Sequence, residues 1–130
     1  MAKHSFKGVD IHYEVHGNGP CVVLIHGFLE SVWIWKDLIP EFAKSHKVIA
    51  MDLPGHGMSE NIGYVHQMDE MAECVQSIVH ALGILRVMLI GHSMGGYVAL
   101  AFADLFPDQV RKLVLYPVSY THLRAHETES

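Results

Sequence analysis

The sequence predicts an α/β fold in which a mostly parallel sheet carries helices on both faces. Short apolar runs that suit buried strands recur along the chain, and segments with apolar residues at helical spacing separate them. Half of the residues are hydrophobic and only 18% are charged, so the chain can bury a core. A length of 130 residues fits a single domain.

The first half of the chain provides an alternating strand, two apolar strands and one helix. Residues 11–16 alternate between apolar and polar side chains, which is typical of a half-exposed strand, and this strand should add an antiparallel N-terminal edge. The Gly-Asn-Gly-Pro sequence that follows predicts a turn. The runs Cys21–Ile25 and Lys47–Met51 predict strands buried on both faces. Helical spacing predicts an amphipathic helix over residues 32–45.

The second half repeats the alternation of helix and strand. Gly83 is placed to end one helix and Pro107 to end the next. The predicted elements are a polar loop over residues 52–63, helices over 68–82 and 94–106, and buried strands over 87–90 and 110–115. The alternating order favours parallel strands joined by helices.

Charge and composition exclude several classes of function. The net charge is −5, with no block of like charges, which argues against nucleic-acid partners and against an electrostatic membrane anchor. No apolar run approaches the ~20 residues that span a bilayer, and the N-terminus lacks the apolar region of a secretory signal. Cys21 and Cys74 lack metal-type spacing, so we expect two reduced, buried thiols, no metal and a cytoplasmic protein.

The most informative motif is Gly91-His92-Ser93-Met94-Gly95, a Gly-x-Ser-x-Gly sequence between a predicted strand and a predicted helix. A turn this tight should hold Ser93 in a strained backbone conformation, and the two glycines leave room where side chains would clash. The hydroxyl of Ser93 then lies at the carboxyl end of the sheet. The N–H of Met94 faces any oxyanion that forms there.

A second motif, His26-Gly27-Phe28, follows the apolar run Cys21–Ile25. The carboxyl end of a buried strand is where open α/β sheets bind ligands. Gly27 lets the backbone turn, and the N–H of Phe28 is then the second candidate oxyanion donor, beside that of Met94.

Three motifs carry a resemblance to the serine-nucleophile branch of the α/β-hydrolase superfamily. They are residues 26–28, residues 52–59 (Asp-Leu-Pro-Gly-His-Gly-Met-Ser) and residues 91–96, in the superfamily's order and at its spacing. The resemblance implies that Ser93 is the nucleophile and that the amides of Phe28 and Met94 bind the oxyanion. It implies structural roles for His26 and the 52–59 loop, so neither His26 nor His56 is expected to be the catalytic base.

The resemblance implies a cofactor-free hydrolase that cleaves an ester, thioester or similar acyl bond of a small molecule through a Ser93 acyl-enzyme. A serine at position 93 argues against the dehalogenase and epoxide-hydrolase branches, which use a carboxylate nucleophile there. Three alternatives stay open. The same site suits a carbon–carbon bond hydrolase or a perhydrolase or lyase, and the fold also serves non-catalytic ligand-binding proteins.

The catalytic acid and base of such an enzyme follow the nucleophile along the chain. The acidic and histidine residues after Ser93 are Asp104, Asp108, Glu127, Glu129, His122 and His126. Asp104 lies within the predicted helix after Ser93 and Asp108 at its far end, so neither lies at the carboxyl end of a later strand, and the other four lie in the last residues of the chain. We therefore expect residues 1–116 to be a truncated core that lacks its acid and base and is inactive by itself.

The last residues resemble translated sequencing-adapter DNA. All eleven residues from 118 to 128 match one reading frame of the transposase adapter used in sequencing libraries, and Pro117 fits a hybrid codon. This match predicts that residues 117–130 are a non-native tail. His122 and His126 would then not belong to the site.

Overall fold

The described chain alternates strands and helices around one six-stranded sheet. The computed structural model describes residues 2–27, 30–54 and 68–116. The strands are β1 (Ala2–Phe6), β2 (Val9–His16), β3 (Cys21–Ile25), β4 (Lys47–Met51), β5 (Val87–His92) and β6 (Val110–Tyr116). The helices are α1 (Ile39–Phe42), α2 (Met68–Ala81) and α3 (Met94–Leu105), with 3-10 helices at Val32–Trp35 and Pro107–Gln109.

The strand order is β1-β2-β4-β3-β5-β6. Strands β4, β3, β5 and β6 pair in parallel, whereas β2 pairs with both β1 and β4 in antiparallel orientation. The predicted mostly parallel sheet with an antiparallel N-terminal edge is confirmed. All five residues of β3 are buried because this strand lies in the middle of the sheet with a neighbour on each side.

Helices cover both faces of the sheet, as predicted. On one face α2 and α3 pack against alternate residues of the strands, such as Val23 and Ile25 of β3. On the other face Trp35 and Ile39 pack against the intervening residues, which include Leu24. Because successive strand residues point to opposite faces, each buried strand contributes to both cores.

Strand β1 was not expected from the sequence. It pairs with β2 across a two-residue turn at Lys7 and Gly8, whose φ angles are 50° and 82°. Two successive positive φ angles are the geometry of a tight hairpin turn that follows the natural twist of the strands. Residues 2–6 are mostly polar and exposed, so their strand conformation depends on pairing rather than on an apolar pattern.

The amphipathic helix expected over residues 32–45 is wrong. The chain forms the 3-10 helix Val32–Trp35, a turn, and then the four-residue helix α1. Pro40 explains the interruption, because it has no N–H to continue a helical ladder and is tolerated only in a first turn. It occupies that position in α1. The apolar face survives, since Val32, Trp35 and Ile39 are all buried.

The expectation that residues 110–115 form a strand buried on both faces is also wrong. The strand itself is present as β6, but Arg111 and Lys112 are exposed, and Leu115 and Tyr116 are 37% and 50% exposed. Within the described ranges β6 is the edge strand and pairs only with β5. Its outer side therefore has no neighbouring strand among those residues.

The helix stops and the thiols agree with the sequence. Helix α2 ends in a reverse turn in which the N–H groups of Gly83 and Ile84 donate to the carbonyls of His80 and Val79, at 2.9 and 3.1 Å. Gly83 has a φ of 74°, which suits this cap. Both cysteines are free and buried, as predicted. No helix in the part of the chain described is long and apolar enough to cross a bilayer.

Candidate active site

The candidate site lies at the carboxyl edge of the parallel strands. Gly27, Asp52 and Ser93 come directly after or close behind the ends of β3, β4 and β5. These strands are adjacent and parallel, so their carboxyl ends meet at one edge of the sheet. The described residues of all three sequence motifs, 26–27, 52–54 and 91–96, are therefore brought together there.

Ser93 occupies the sharp turn between β5 and α3. Its φ and ψ are 58° and −119°, a conformation that L-residues other than glycine rarely adopt. Its N–H donates to the carbonyl of Tyr116 at 3.3 Å, and its carbonyl accepts from Gly96 at 2.8 Å. The strained backbone that the Gly-x-Ser-x-Gly pattern predicts at this position is present.

The two flanking glycines permit this turn because backbone atoms crowd them. A methyl group added to Gly95 would overlap the carbonyl oxygen of Ile25 and come within 2.6 Å of that of His26. A methyl group added to Gly91 would overlap the backbone of Gly95 and lie 2.7 Å from the Cα of Gly96. Glycine therefore lets α3 pack directly on the ends of β3 and β5.

Met94 is the first residue of α3. The first amides of a helix have no carbonyl partner within the helix, and the helix dipole gives this end a partial positive charge. This position agrees with the oxyanion role predicted for the Met94 N–H, which stays a prediction. A carbonyl attacked by Ser93 would develop the negative charge of that oxyanion.

His26 fastens the loop after β3 to the loop after β4. The ring is fully buried; Nδ1 lies 2.7 Å from the carbonyl oxygen of Gly27, and Nε2 accepts the N–H of Leu53 at 2.8 Å. An Nε2 that accepts a hydrogen bond carries no proton, so Nδ1 carries it and donates to Gly27. This is the backbone-bonded arrangement of a structural histidine.

Asp52 links the end of β4 to the start of the 3-10 helix Val32–Trp35. Its carboxylate is 2% exposed and accepts the N–H of Val32 at 2.8 Å, at the start of the 3-10 helix. The Ser31 hydroxyl accepts the N–H of Trp33 at 3.3 Å in the same turn. The sheet end and the segment that covers its second face are thereby held together.

Glu30 and His92 were not singled out from the sequence. One carboxylate oxygen of Glu30 accepts the Gly27 N–H at 2.6 Å and lies 2.9 Å from Nδ1 of His92. The His92 ring also meets the rings of Trp35 and Tyr116 edge to face, with centroids 6.5 and 6.2 Å apart. A carboxylate three residues after Gly27 was the available signal, but its partner on β5 depends on the sheet topology.

Several of the sequence candidates do not join this site or lie outside the described residues. Asp104 and Asp108 are exposed, and Asp104 lies about 15 Å along α3 from Met94 at the usual helical rise. Phe28, His56 and residues 117–130 are outside the described part of the chain. The adapter interpretation of residues 117–130 and the oxyanion role of Phe28 therefore stay predictions.

The two cysteine thiols are poor alternatives to Ser93 as nucleophiles. Burial raises the pKa of Cys21 to about 11 and that of Cys74 to about 12. Both groups are therefore protonated near neutral pH, and the thiolate is the reactive form. Among the residues that the structure describes, no three His, Cys, Asp or Glu side chains gather into a group that could hold a metal ion.

Known proteins share this arrangement of strands and helices. Residues 20–127 match the family described as alpha/beta hydrolase fold. The uncharacterized hydrolase YugF of Bacillus subtilis is 34% identical over 98% of this chain and 48% of its own length.

Two solved structures are also similar. The epoxide hydrolase CorEH is 36% identical with a TM-score of 0.87, and the match covers 90% of this chain and 41% of that one. A thermophilic esterase from Thermogutta terrifontis is 36% identical with a TM-score of 0.81, over 87% of this chain and 42% of that one. The chain thus spans less than half the length of each of these relatives. It belongs to the alpha/beta hydrolase fold family.

Proposed function

We propose that the protein is a serine hydrolase that cleaves an ester, thioester or similar acyl bond of a small molecule, with Ser93 as the nucleophile. The observation that supports this most directly is the conformation of Ser93. A non-glycine residue at φ 58° and ψ −119° is strained, and strain of this kind concentrates at functional sites. Ser93 directly precedes α3, and the free N–H groups at the start of a helix stabilise developing negative charge.

In the proposed reaction the Ser93 oxygen attacks the substrate carbonyl while a base takes its proton. The carbonyl oxygen becomes an oxyanion that accepts hydrogen bonds from the N–H groups of Met94 and Phe28. The tetrahedral intermediate expels the alcohol or thiol and leaves an acyl group on Ser93. Water activated by the same base then releases the acid and restores the hydroxyl.

The base and its carboxylate partner are proposed to follow β6 in the complete gene product. His26 is a poor candidate because both of its ring nitrogens are engaged with backbone groups. Asp104 and Asp108 lie toward the far end of α3 from Ser93. The chain spans under half of its relatives' length, which leaves room for these groups in a longer protein.

Epoxide opening is the competing reaction, since CorEH is an epoxide hydrolase. A carboxylate that attacks an epoxide forms an ester, which water can then hydrolyse. A serine that attacks the same carbon forms an alkyl ether, which water does not cleave under these conditions. Ser93 therefore favours acyl transfer, for which its covalent intermediate is a hydrolysable ester. The similarity to the Thermogutta terrifontis esterase supports the same choice.

The test uses the complete gene product that contains this chain, a fluorophosphonate probe and a short-chain aryl ester. Ser93→Ala should abolish labelling and lower turnover by several orders of magnitude, about 10⁶-fold where such a nucleophile is removed elsewhere. Ser77→Ala is the matched control, because the Ser77 hydroxyl has a histidine partner, with Nε2 of His4 at 2.6 Å, but lies within α2 and away from the turn at Ser93. It should label and turn over like the unaltered protein.

Three results would contradict the proposal. Labelling that survives Ser93→Ala would move the chemistry to another residue. Turnover of an epoxide such as styrene oxide without turnover of any ester would favour the other reaction class. A protein that neither labels nor turns over either substrate would favour a ligand-binding role.

A further inference from the structure

The carboxylate of Glu30 joins two parts of the site that are far apart in the sequence. The same oxygen accepts the Gly27 N–H at 2.6 Å and lies 2.9 Å from Nδ1 of His92. Gly27 belongs to the loop after β3, whereas His92 ends β5 and directly precedes Ser93. The side chains of Glu30 and His92 are only 28% and 22% exposed, so water competes weakly for the contact between them.

Gly27 is held on both sides of its peptide backbone. Its N–H donates to the Glu30 carboxylate, and its carbonyl accepts from the Glu30 N–H at 3.2 Å and from Nδ1 of His26 at 2.7 Å. The Glu30 side chain therefore fixes the His26–Gly27 peptide, whereas the Glu30 backbone N–H and the His26 ring fix the Gly27 carbonyl.

The other end of the contact is equally constrained. The His92 ring meets Trp35 and Tyr116 edge to face, and these two rings stack on each other with planes 14° apart. Trp35 is 2% exposed, which leaves the histidine ring little freedom. The loop after β3 lies close to the turn between β5 and α3, since a methyl group on Gly27 would come within 3.0 Å of the Cβ of Ser93.

We propose that Glu30 is a positioning residue that holds the loop after β3 against the turn that carries the nucleophile, by binding the Gly27 N–H and the His92 ring through one carboxylate oxygen. This inference rests on the proposed acyl transfer at Ser93. The proposed oxyanion exists only along the reaction path, so a shift of this loop against Ser93 weakens the transition state and leaves ground-state binding of substrate nearly unchanged. A displacement of about 1 Å at an active site can lower the rate by about 100-fold.

The negative charge of Glu30 must be compensated by hydrogen-bond donors, and the His92 ring is placed to be one of them. A bare carboxylate this close to a forming oxyanion would repel it, whereas the imidazole N–H and the Gly27 N–H draw its negative charge toward themselves. Glutamine keeps one oxygen, which can accept both the Gly27 N–H and the His92 N–H but carries no negative charge. Alanine keeps neither contact. The two substitutions therefore separate the loss of geometry from the loss of charge.

Glu14 and His16 provide a matched control within the same chain. Oε1 of Glu14 lies 2.8 Å from Nε2 of His16, and their side chains are 29% and 41% exposed, so the geometry is close to that of the Glu30 pair. Both control residues lie on β2, which β4 and β3 separate from β5. Glu14→Ala should leave kcat and KM within about twofold of the unaltered protein.

The experiment measures kcat and KM on an aryl ester for Glu30→Ala, Glu30→Gln, His92→Ala and the Glu30→Ala/His92→Ala double variant of the complete gene product. Glu30→Ala should lower kcat about 10- to 100-fold with KM nearly unchanged, and Glu30→Gln should restore most of the loss. Because the two side chains act together, the double variant should lose less than the product of the single losses. Thermal midpoints check that each variant is folded.

Amide NMR gives a readout that needs no activity. The Gly27 amide proton should move upfield in Glu30→Ala and stay near its original position in Glu30→Gln, because only alanine removes its acceptor. Normal kcat for a folded Glu30→Ala protein, or no rescue by glutamine, would overturn the positioning role. Failure of the proposed function looks different: the unaltered protein would neither label at Ser93 nor hydrolyse an ester, whatever the Gly27 amide does, and the positioning role would fall with it.

Discussion

The turns at Gly83 and Ser93 both take the chain through positive φ, but they do so in opposite ways. After α2 the turn uses Gly83, at φ 74°, and a side chain added there would meet nothing within 4 Å. Before α3 the turn uses Ser93, at φ 58°, between two glycines crowded by backbone atoms. At the first turn glycine adopts the positive φ without strain. At the second turn a serine adopts it among closely packed backbone atoms, at a cost of about 1–3 kcal/mol. The difference agrees with the proposal that the Ser93 side chain takes part in catalysis.

The largest change in stability is expected at Gly95, where backbone atoms come closest to the turn around Ser93. Gly95→Ala should lower the free energy of unfolding by about 3 kcal/mol or more, because its methyl group meets the carbonyl oxygens of Ile25 and His26 rather than a side chain that could move. Urea denaturation followed by tryptophan fluorescence measures the change. If Gly95→Ala lowers the free energy of unfolding no more than Gly83→Ala does, backbone atoms do not limit the space at the turn around Ser93.

The second test asks whether Ser93 is strained. Ser93→Gly should raise the free energy of unfolding by about 1 kcal/mol, since glycine adopts positive φ without the steric penalty. Ser5→Gly, on exposed and extended backbone in β1, should instead lower it by about 0.5–1 kcal/mol. The same urea titration compares the two. Equal losses from both substitutions would remove the contrast between the turns.

The smallest effects are expected at Gly83, where only the backbone angle matters. Gly83→Ala should lower the free energy of unfolding by about 1 kcal/mol, and Gly83→Asn by about half as much, because asparagine tolerates the left-handed conformation better. Amide exchange in the last turn of α2 would report the same order. If alanine is as stable as glycine, φ does not limit this turn.

The sequence predicts best the elements whose pattern is local. Strand β3 is a continuous apolar run and α2 has apolar residues at helical spacing, and both appear with nearly the expected bounds. Strand β1 was missed because its polar residues are extended only through pairing with β2. The helix over residues 32–45 was expected because the apolar spacing was weighed without Pro40. The burial of β6 was overestimated because burial depends on neighbours that a single segment does not specify.

The site follows the same rule. The turn at Ser93 could be predicted because Gly91 and Gly95 are close in sequence and encode the close approach of strand and helix. The Glu30–His92 contact joins residues 62 positions apart and becomes visible only once β3 and β5 are paired. The roles proposed for Ser93, Met94 and Phe28 rest on chemistry that catalysis, and not the fold alone, must test.

The hydrogen bond from the Ser93 N–H to the Tyr116 carbonyl links the strained turn to the last described residue of an edge strand. Strand ends at the edge of a sheet open more often than central strands, through fluctuations far smaller than global unfolding. Each opening of β6 at Tyr116 releases the Ser93 amide, whereas Gly91 stays paired with Ile25 of the buried strand β3. Amide exchange at Ser93 should therefore follow the opening of the sheet edge at Tyr116, and should be faster than exchange at the amides that pair β3 with β5.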